Sequence, residues 1–373
     1  MKITIIGNIT NPNGNLILDG ARVKVALYEK FLVNEGYDVS VLELNNWKRK
    51  PFKLINEIYH ATRKSDVILI MAGPKGARVI IPLCNFFNRK KRTRIIYPMI
   101  GTGTINRKIR KLSIEEFKDF MQNPQAYAIT DKRMRKYLAK LDLVLPENET
   151  LANCYKEFYG LNNVEVINNF RYYENRRNVE KNYIDLQKSL NFVFFARVSF
   201  DKGIFDAIDA VQQINEENKN LKCNFDIYGE LQLSDEEFFL FNKKLNENIK
   251  YKGTANNDDV LDVLSKYDFL LFPTKYKGEG TPGTVVEALI AGVPILISNY
   301  SQVSDVVQDN YNGVLFEMGN VLSLKNKIQY IIGLNKDEMN RFRNNAYQSG
   351  NRFTYEYNRE KLLSYIIGDV KLD

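Results

Sequence analysis

One histidine, one tryptophan and three cysteines stand among the 373 residues of this chain, and these scarcities exclude several kinds of chemistry at the outset. With His60 as its sole imidazole, a Ser-His or Cys-His nucleophile has no base unless His60 provides it. His60 lies in Ile58-Tyr59-His60-Ala61-Thr62, on a helical pattern far along the chain from the glycine-rich loops, so a structural or surface role is expected. Cys84, Cys154 and Cys223 are scattered without paired or metal-ligand spacing; they read as plain thiols, and no metal site is expected. No run of 18 apolar residues suggests a membrane-spanning helix. Met1-Lys2 passes directly into Ile3-Thr4-Ile5-Ile6-Gly7, without the longer apolar region and small-residue cleavage site of a signal peptide, and a cytoplasmic protein is the expectation.

Charge is present in quantity but unevenly placed. Residues 1–173 carry 29 Lys and Arg against 16 Asp and Glu, whereas the remainder carries 24 against 29, within an overall net charge of +8. The excess gathers at Arg89-Lys90-Lys91-Arg92-x-Arg94, at Arg107-Lys108-x-Arg110-Lys111 and at Lys132-Arg133-x-Arg135-Lys136. Clusters of this kind attract polyanions such as an anionic leaflet, a lipid pyrophosphate or nucleic acid. Aromatic-basic interleaving on strands and any recognition-helix motif are missing, so nucleic acid is not the expected partner. One cluster follows Leu83-Cys84-Asn85-Phe86-Phe87, and that pairing of aromatic and basic residues suits a peripheral contact with an anionic membrane.

Short apolar runs rich in β-branched residues at 3–6, 39–42, 67–71 and 95–98 alternate with helical patterns such as 22–35 and 54–64; runs at 143–145 and 164–167 complete a first series. A second series opens at 192–196 and continues through 224–228, 249–251, 269–272 and 293–297. Such alternation predicts an α/β protein with two parallel sheets, helices on both faces and ligands at the carboxyl ends of the strands. The expected division is a first domain over 1–170, a polar linker over 171–189 and a second domain over 190–354, with a terminal helix near 355–367 in the closing segment 355–373.

The most informative stretch runs from Phe272 to Pro294. An apolar strand ends there in a Gly/Pro-rich turn holding Glu279, and a helix begins near Thr284 with Glu287 one turn in. A helix N-terminus offers unpaired N–H groups and partial positive charge to an anion, and Gly280 and Gly283 admit backbone without Cβ obstruction. A carboxylate at Glu287 is placed to accept two bonds from a diol. Glu279-x7-Glu287 followed by Ala288-Leu289-x-x-Gly292-x-Pro294 resembles the donor signature of family-4 glycosyltransferases of the GT-B fold, in which two Rossmann-like domains face each other across a cleft. The wording Glu-Gly-Thr-Pro-Gly-Thr is similar to that of the capsular and exopolysaccharide branch. By that resemblance Glu287 holds the ribose, the amides around Gly283 and Thr284 hold the sugar and distal phosphate, and Glu279 meets the sugar ring. Pro282 departs from the glycine that many members carry, which removes one amide at that point.

Two further loops fit the resemblance. Arg197-Val198-Ser199-Phe200-Asp201-Lys202-Gly203 joins a strand to a helical pattern at 204–213 and resembles the family's Arg-x4-Lys-Gly; forked Arg donors and a Lys point charge suit a diphosphate. Asp19-Gly20-Ala21-Arg22, after the turn-forming Asn11-Pro12-Asn13-Gly14-Asn15, resembles the loop that closes on donor and acceptor, which gives Gly20 and Arg22 to the donor. Gly229, Gly253 and Thr254 mark where a base would lie, and amides at Gly101-Thr102-Gly103 are candidates for the cleft. Many members carry a histidine after the fourth strand; Tyr97-Pro98-Met99-Ile100 stands here instead, so no mechanism through that histidine transfers.

The resemblance implies a retaining, metal-independent transferase without cofactor, with Glu279, Arg197 and Lys202 at the reaction centre. Its donor is a nucleoside-diphosphate sugar, UDP favoured over GDP, and its acceptor a lipid-linked or other glycan hydroxyl in capsular or other cell-surface polysaccharide assembly. It implies work at the inner face of the cell membrane. A sugar-nucleotide 2-epimerase of the same fold is the alternative, and a basic nucleic-acid-binding protein a distant one.

Overall fold

The structure is a computed structural model that describes residues 1–10, 20–90, 92–173, 189–218, 221–256, 259–300 and 302–368, with backbone alone at 128–130. The chain divides into two compact units, the first formed by Met1–Tyr172, Lys277–Pro282 and Tyr355–Asp373, the second by Tyr173–Tyr276 and Gly283–Thr354.

In the first unit, β1 (Lys2–Gly7), β2 (Asp38–Glu43), β3 (Val67–Met71), β4 (Arg94–Pro98) and β5 (Leu143–Leu145) form a parallel sheet in the order β2-β1-β3-β4-β5. β3 is buried at every residue, which is why Val67-Ile68-Leu69-Ile70-Met71 is continuously apolar rather than alternating. Helices Gly20–Asn34, Pro51–Lys64 and Pro74–Phe87 make the first three crossovers. The terminal helix Tyr355–Ile367 adds Leu362 and Ile366 to the core of Ile3, Ile5, Leu69, Ile96 and Leu145. Its hold is also polar: Arg359 grips Glu35 through two nitrogens at 2.7 and 2.5 Å, and the Tyr355 hydroxyl donates to the same carboxylate at 2.6 Å.

The run 164–167, expected as a strand, forms only an isolated bridge between Val164 and Val144. It follows β5 for a few bonds, but Pro146 ends that strand and has no N–H to continue a ladder. The expected linker falls almost wholly on 174–188, outside the described residues.

In the second unit, β6 (Ser189–Phe195), β7 (Lys222–Tyr228), β8 (Ile249–Gly253), β9 (Phe269–Phe272), β10 (Ile295–Asn299) and β11 (Gly313–Glu317) pair in parallel in the order β11-β10-β9-β6-β7-β8. β11 is the strand that the sequence series lacked. The core is aromatic-rich, with Phe192, Phe194, Phe225, Phe241, Phe269 and Phe342 buried together. This order places the reversal of winding between β6 and β9, and ligands of open parallel sheets bind at the carboxyl ends of strands where the winding reverses.

Candidate functional site

Four strand ends and one helix start carry the candidate residues of the second unit. After β6 the chain runs through exposed Arg197, whose Nη1 donates to Gln232 Oε1 at 3.1 Å. Val198 bridges Leu231, so the loops after β6 and β7 are stitched together before the turn Phe200–Lys202. Lys202 is buried at that turn, with its ammonium 5.3 Å from the Phe272 ring centroid and 5.5 Å from that of Tyr276. Aromatic faces attract a cation and shield it from water.

Gly203 closes the turn at φ +74°, and a Cβ there would lie 1.9 Å from the Pro273 carbonyl oxygen. The glycine thus lets the start of helix Ile204–Glu217 and the end of β9 meet, at the two strands flanking the winding reversal. Helix Gly283–Ile290 begins beside them: the Thr284 hydroxyl donates to the Phe195 carbonyl at 2.6 Å, fixing the first turn against the end of β6. Glu287 is half-buried on the same helix, one turn from its start. Thr254 is exposed just past β8. Gly229 donates its N–H to the Gly253 carbonyl at 2.8 Å, so that amide serves the loops themselves. Tyr228 stacks on Phe195 at 5.5 Å and 26°, giving this edge an aromatic floor. The second unit therefore assembles Arg197, Lys202, Gly283 and Thr284 around one strand-to-helix junction, a place with two cations and a helix N-terminus suited to a diphosphate.

Glu279 is placed differently. It is 8% exposed, within the segment Lys277–Pro282 that groups with the first unit. That segment is held by a carboxylate the sequence did not single out. Glu147, just past β5, takes Lys24 Nζ on Oε1 at 2.6 Å and the Thr281 N–H on Oε2 at 3.0 Å. Lys24 also donates to the Met99 carbonyl at 2.6 Å. The pair is 3% and 4% exposed. Burial pulls Lys24 below the ordinary lysine value, and the Glu147 carboxylate opposes that shift. Asn148 donates to the Thr281 hydroxyl at 3.2 Å and Asn169 to its carbonyl at 2.7 Å. A charged residue directly after a buried strand is the one sequence signal that marks Glu147; its partner lies 123 residues away and leaves no local trace.

The remaining candidates fare unevenly. Gly20 and Arg22 open helix Gly20–Asn34, and Arg22 Nε donates to the Thr10 carbonyl at 3.1 Å; the turn 11–15 and Asp19 lie outside the described residues. The Gly103 amide, one of the candidates for the cleft, donates to the Ile100 carbonyl at 3.2 Å and closes its own turn. His60 is exposed on helix Pro51–Lys64. The three cysteine thiols are unpaired and buried, each pushed up to about 12 by burial. Among the described residues no group of three His, Cys, Asp or Glu is placed to hold a metal, and no helix is long and apolar enough to cross a membrane.

Residues 176–349 match the family model described as glycosyl transferases group 1. An uncharacterized glycosyltransferase of Methanocaldococcus jannaschii is 29% identical over 161 residues, 43% of this chain and 42% of the relative. The Escherichia coli UDP-Gal:alpha-D-GlcNAc-diphosphoundecaprenol alpha-1,3-galactosyltransferase is 23% identical over 194 residues, half of each chain. The chain thus spans about half the length of the curated relatives it matches. Among solved structures, Anabaena HepE in complex with UDP superposes with a TM-score of 0.67 at 15% identity, covering 98% of this chain and 99% of that one. Residues 176–349 thus match the glycosyl transferases group 1 family, and the two parallel-sheet units together with the superposition show the GT-B fold.

Proposed function

We propose that this protein transfers a sugar from a nucleoside-diphosphate sugar, UDP rather than GDP, to an acceptor hydroxyl of a lipid-linked glycan in capsular or other cell-surface polysaccharide assembly. The observation that carries the reading is the junction of the second unit, where Arg197, Lys202 and the start of helix Gly283–Ile290 gather at the reversal of winding. There Arg197 and Lys202 neutralise the diphosphate, the Gly283 and Thr284 amides bind its distal phosphate, Glu287 accepts the ribose hydroxyls, and Thr254 borders the base. By the resemblance alone, Gly20 and Arg22 are also assigned to the donor. Glu279 serves the sugar ring.

In the reaction the bond from the anomeric carbon to the phosphate oxygen breaks and a bond to the acceptor oxygen forms on the same face. The acceptor proton passes to the departing phosphate, and configuration is retained. Negative charge grows on the leaving group, so two fixed cations help more in the transition state than in the ground state, and no metal or cofactor is required. The E. coli relative, whose name gives a UDP-sugar donor and a diphosphoundecaprenol-linked acceptor, supports the choice of donor and acceptor class. The same acceptor class supports work at the inner face of the cell membrane. The epimerase and nucleic-acid alternatives draw no support from the relatives named above.

Thermal melting with a panel of nucleoside diphosphates tests the reading, because a ligand that binds the native state raises its stability by mass action. UDP is expected to raise the melting temperature most, and transfer from the matching UDP-sugar to persist in EDTA. A melting temperature indifferent to every nucleotide would overturn the assignment, and activity lost to EDTA and restored by magnesium or manganese would overturn its metal-free form.

A further inference from the structure

Helix Pro51–Lys64 of the first unit has two apolar stripes where a solvent-facing helix needs one. Leu54, Ile58 and Thr62, four residues apart, are its buried face. Beside them Phe52, Ile55 and Tyr59 share a neighbouring stripe by helical spacing, yet they are 85%, 38% and 37% exposed. The stripe continues onto the end of helix Pro74–Phe87: the Tyr59 ring meets Phe87 at 5.4 Å, Phe87 meets Phe86 at 5.2 Å, and Phe86 is 54% exposed. Burial within this unit explains none of that exposed surface.

Cations frame the stripe. The Arg63 guanidinium lies 5.3 Å from the Tyr59 ring centroid and that of Arg89 lies 4.3 Å from Phe86. Lys53 lies in the first turn and Lys64 at the end of helix Pro51–Lys64, Lys90 and Arg92 follow the end of helix Pro74–Phe87, and all four are exposed. Of the nearby acids, Glu57 pairs with Lys53 at 3.5 Å and Asp66 accepts the Lys2 amide at 2.7 Å, so cations predominate. The other two basic runs lack this company: among the described residues of 100–173 no large apolar side chain is exposed. Lys108 of the run at 107–111 lies 5.1 Å from the ring centroid of Tyr127, itself only half-exposed.

We propose that this face is a membrane-docking surface, on which Phe52, Tyr59 and Phe86 enter the headgroup–acyl boundary of an anionic bilayer while Arg63, Arg89 and Arg92 pair with lipid phosphates. Charge complementarity selects the occupant. Exposed aromatics bordered by cations match an interface that is apolar on one side and negative on the other, whereas a neutral protein surface would leave the arginines unanswered. Arg63 and Arg89 over aromatic rings also keep their charge at the height of those rings, where lipid phosphates lie. The proposal deepens the membrane component of the reading above and does not depend on the donor.

Sedimentation with phosphatidylglycerol-rich and pure phosphatidylcholine vesicles, at low and high salt, is the experiment. The wild type is expected to bind the anionic vesicles at low salt and largely release at high salt, and to bind neutral vesicles weakly. The triple variant Phe52→Ser, Tyr59→Ser, Phe86→Ser should weaken binding at least tenfold. Arg63→Gln, Arg89→Gln, Arg92→Gln should do the same and also remove the salt dependence. Arg107→Gln with Lys132→Gln should stay within twofold of the wild type. Melting temperature and UDP affinity serve as folding controls, since neither is expected to change. A wild type that ignores anionic vesicles at low salt, or an aromatic variant that binds like the wild type, would overturn the proposal. So would a wild-type dimer that the aromatic variant dissolves without any vesicle binding, which would make a second copy the occupant. Vesicle binding without any nucleotide response would leave the docking surface standing and remove the transferase reading alone.

Discussion

Replacing Gly203 by alanine tests the junction of the second unit more sharply than any charge reversal there. Two penalties act on that residue. Its φ of +74° costs an L-residue about 1–2 kcal/mol. In addition, the new methyl would sit 1.9 Å from the Pro273 carbonyl oxygen, where ordinary contact begins at 3.4 Å, so the end of β9 or the turn Phe200–Lys202 must yield by more than an ångström. Forcing an extra methyl into close-packed surroundings costs roughly 1–3 kcal/mol. The sum is about 3 kcal/mol, which for a unit of this size lowers the melting temperature by about 6–12 °C.

Gly253 is the matched control. Its φ is +77°, but nothing lies within 4 Å of its absent Cβ, so Gly253→Ala carries the backbone penalty alone, about 1.5 kcal/mol, and should cost about 3–6 °C. Calorimetric melting of the two variants separates the terms, and UDP titration of Gly203→Ala should show weakened affinity because Lys202 moves with its turn. If both variants melt within a degree or two of each other, the close approach of Gly203 to Pro273 does not hold the junction together.

Three further outcomes are expected. Glu287→Ala should weaken UDP binding about ten- to a hundredfold by calorimetry, the value of a lost charged hydrogen bond, and unchanged affinity would take Glu287 out of the site. Lys24→Met leaves the Glu147 carboxylate buried without its cation and should cost roughly 3–5 kcal/mol in urea unfolding, while the double variant with Glu147→Leu should cost less than the two singles added; strict additivity would refute the coupling. Glu35 is held below the ordinary carboxylate range chiefly by its hydrogen bonds from Arg359, so its stabilisation is present above that range and fades as pH falls through the lowered value. Wild type and Glu35→Gln should therefore differ in melting temperature at neutral pH, and the gap should narrow as pH falls below the ordinary carboxylate value of about 4.3; a gap that does not narrow on acidification would contradict the assignment.

What the sequence determined by itself is what a few neighbouring residues encode. Continuous apolar runs such as 67–71 and 269–272 mark buried parallel strands, because a strand covered on both faces has no reason to alternate. The helix 355–367 and the start of the helix carrying Glu287 were legible from periodicity and from glycine and proline punctuation. The spacing of Glu279 and Glu287 carried the resemblance to the family whose model matches residues 176–349. β11 was missed because Gly313-Val314-Leu315-Phe316-Glu317 is short, and its strand character rests on pairing with β10. The run 164–167 was read as a strand because its composition is that of one; the obstacle lies in its partner, at Pro146.

Only the tertiary structure decided the long-range pairings. Lys24 and Glu147 look like ordinary surface charges in the sequence, and they become a buried pair because helix Gly20–Asn34 and the end of β5 are packed side by side. The segment Lys277–Pro282 joins the first unit because Glu147, Asn148 and Asn169 converge on Thr281, three partners from two distant stretches of chain. Of the three similar basic runs, the one at 89–94 already follows Phe86 and Phe87 in the sequence, but only packing brought the Tyr59 ring of another helix against them. Local patterns fix which way a residue faces along its own helix or strand, but what it faces depends on how those elements pack, and that information is spread over the whole chain.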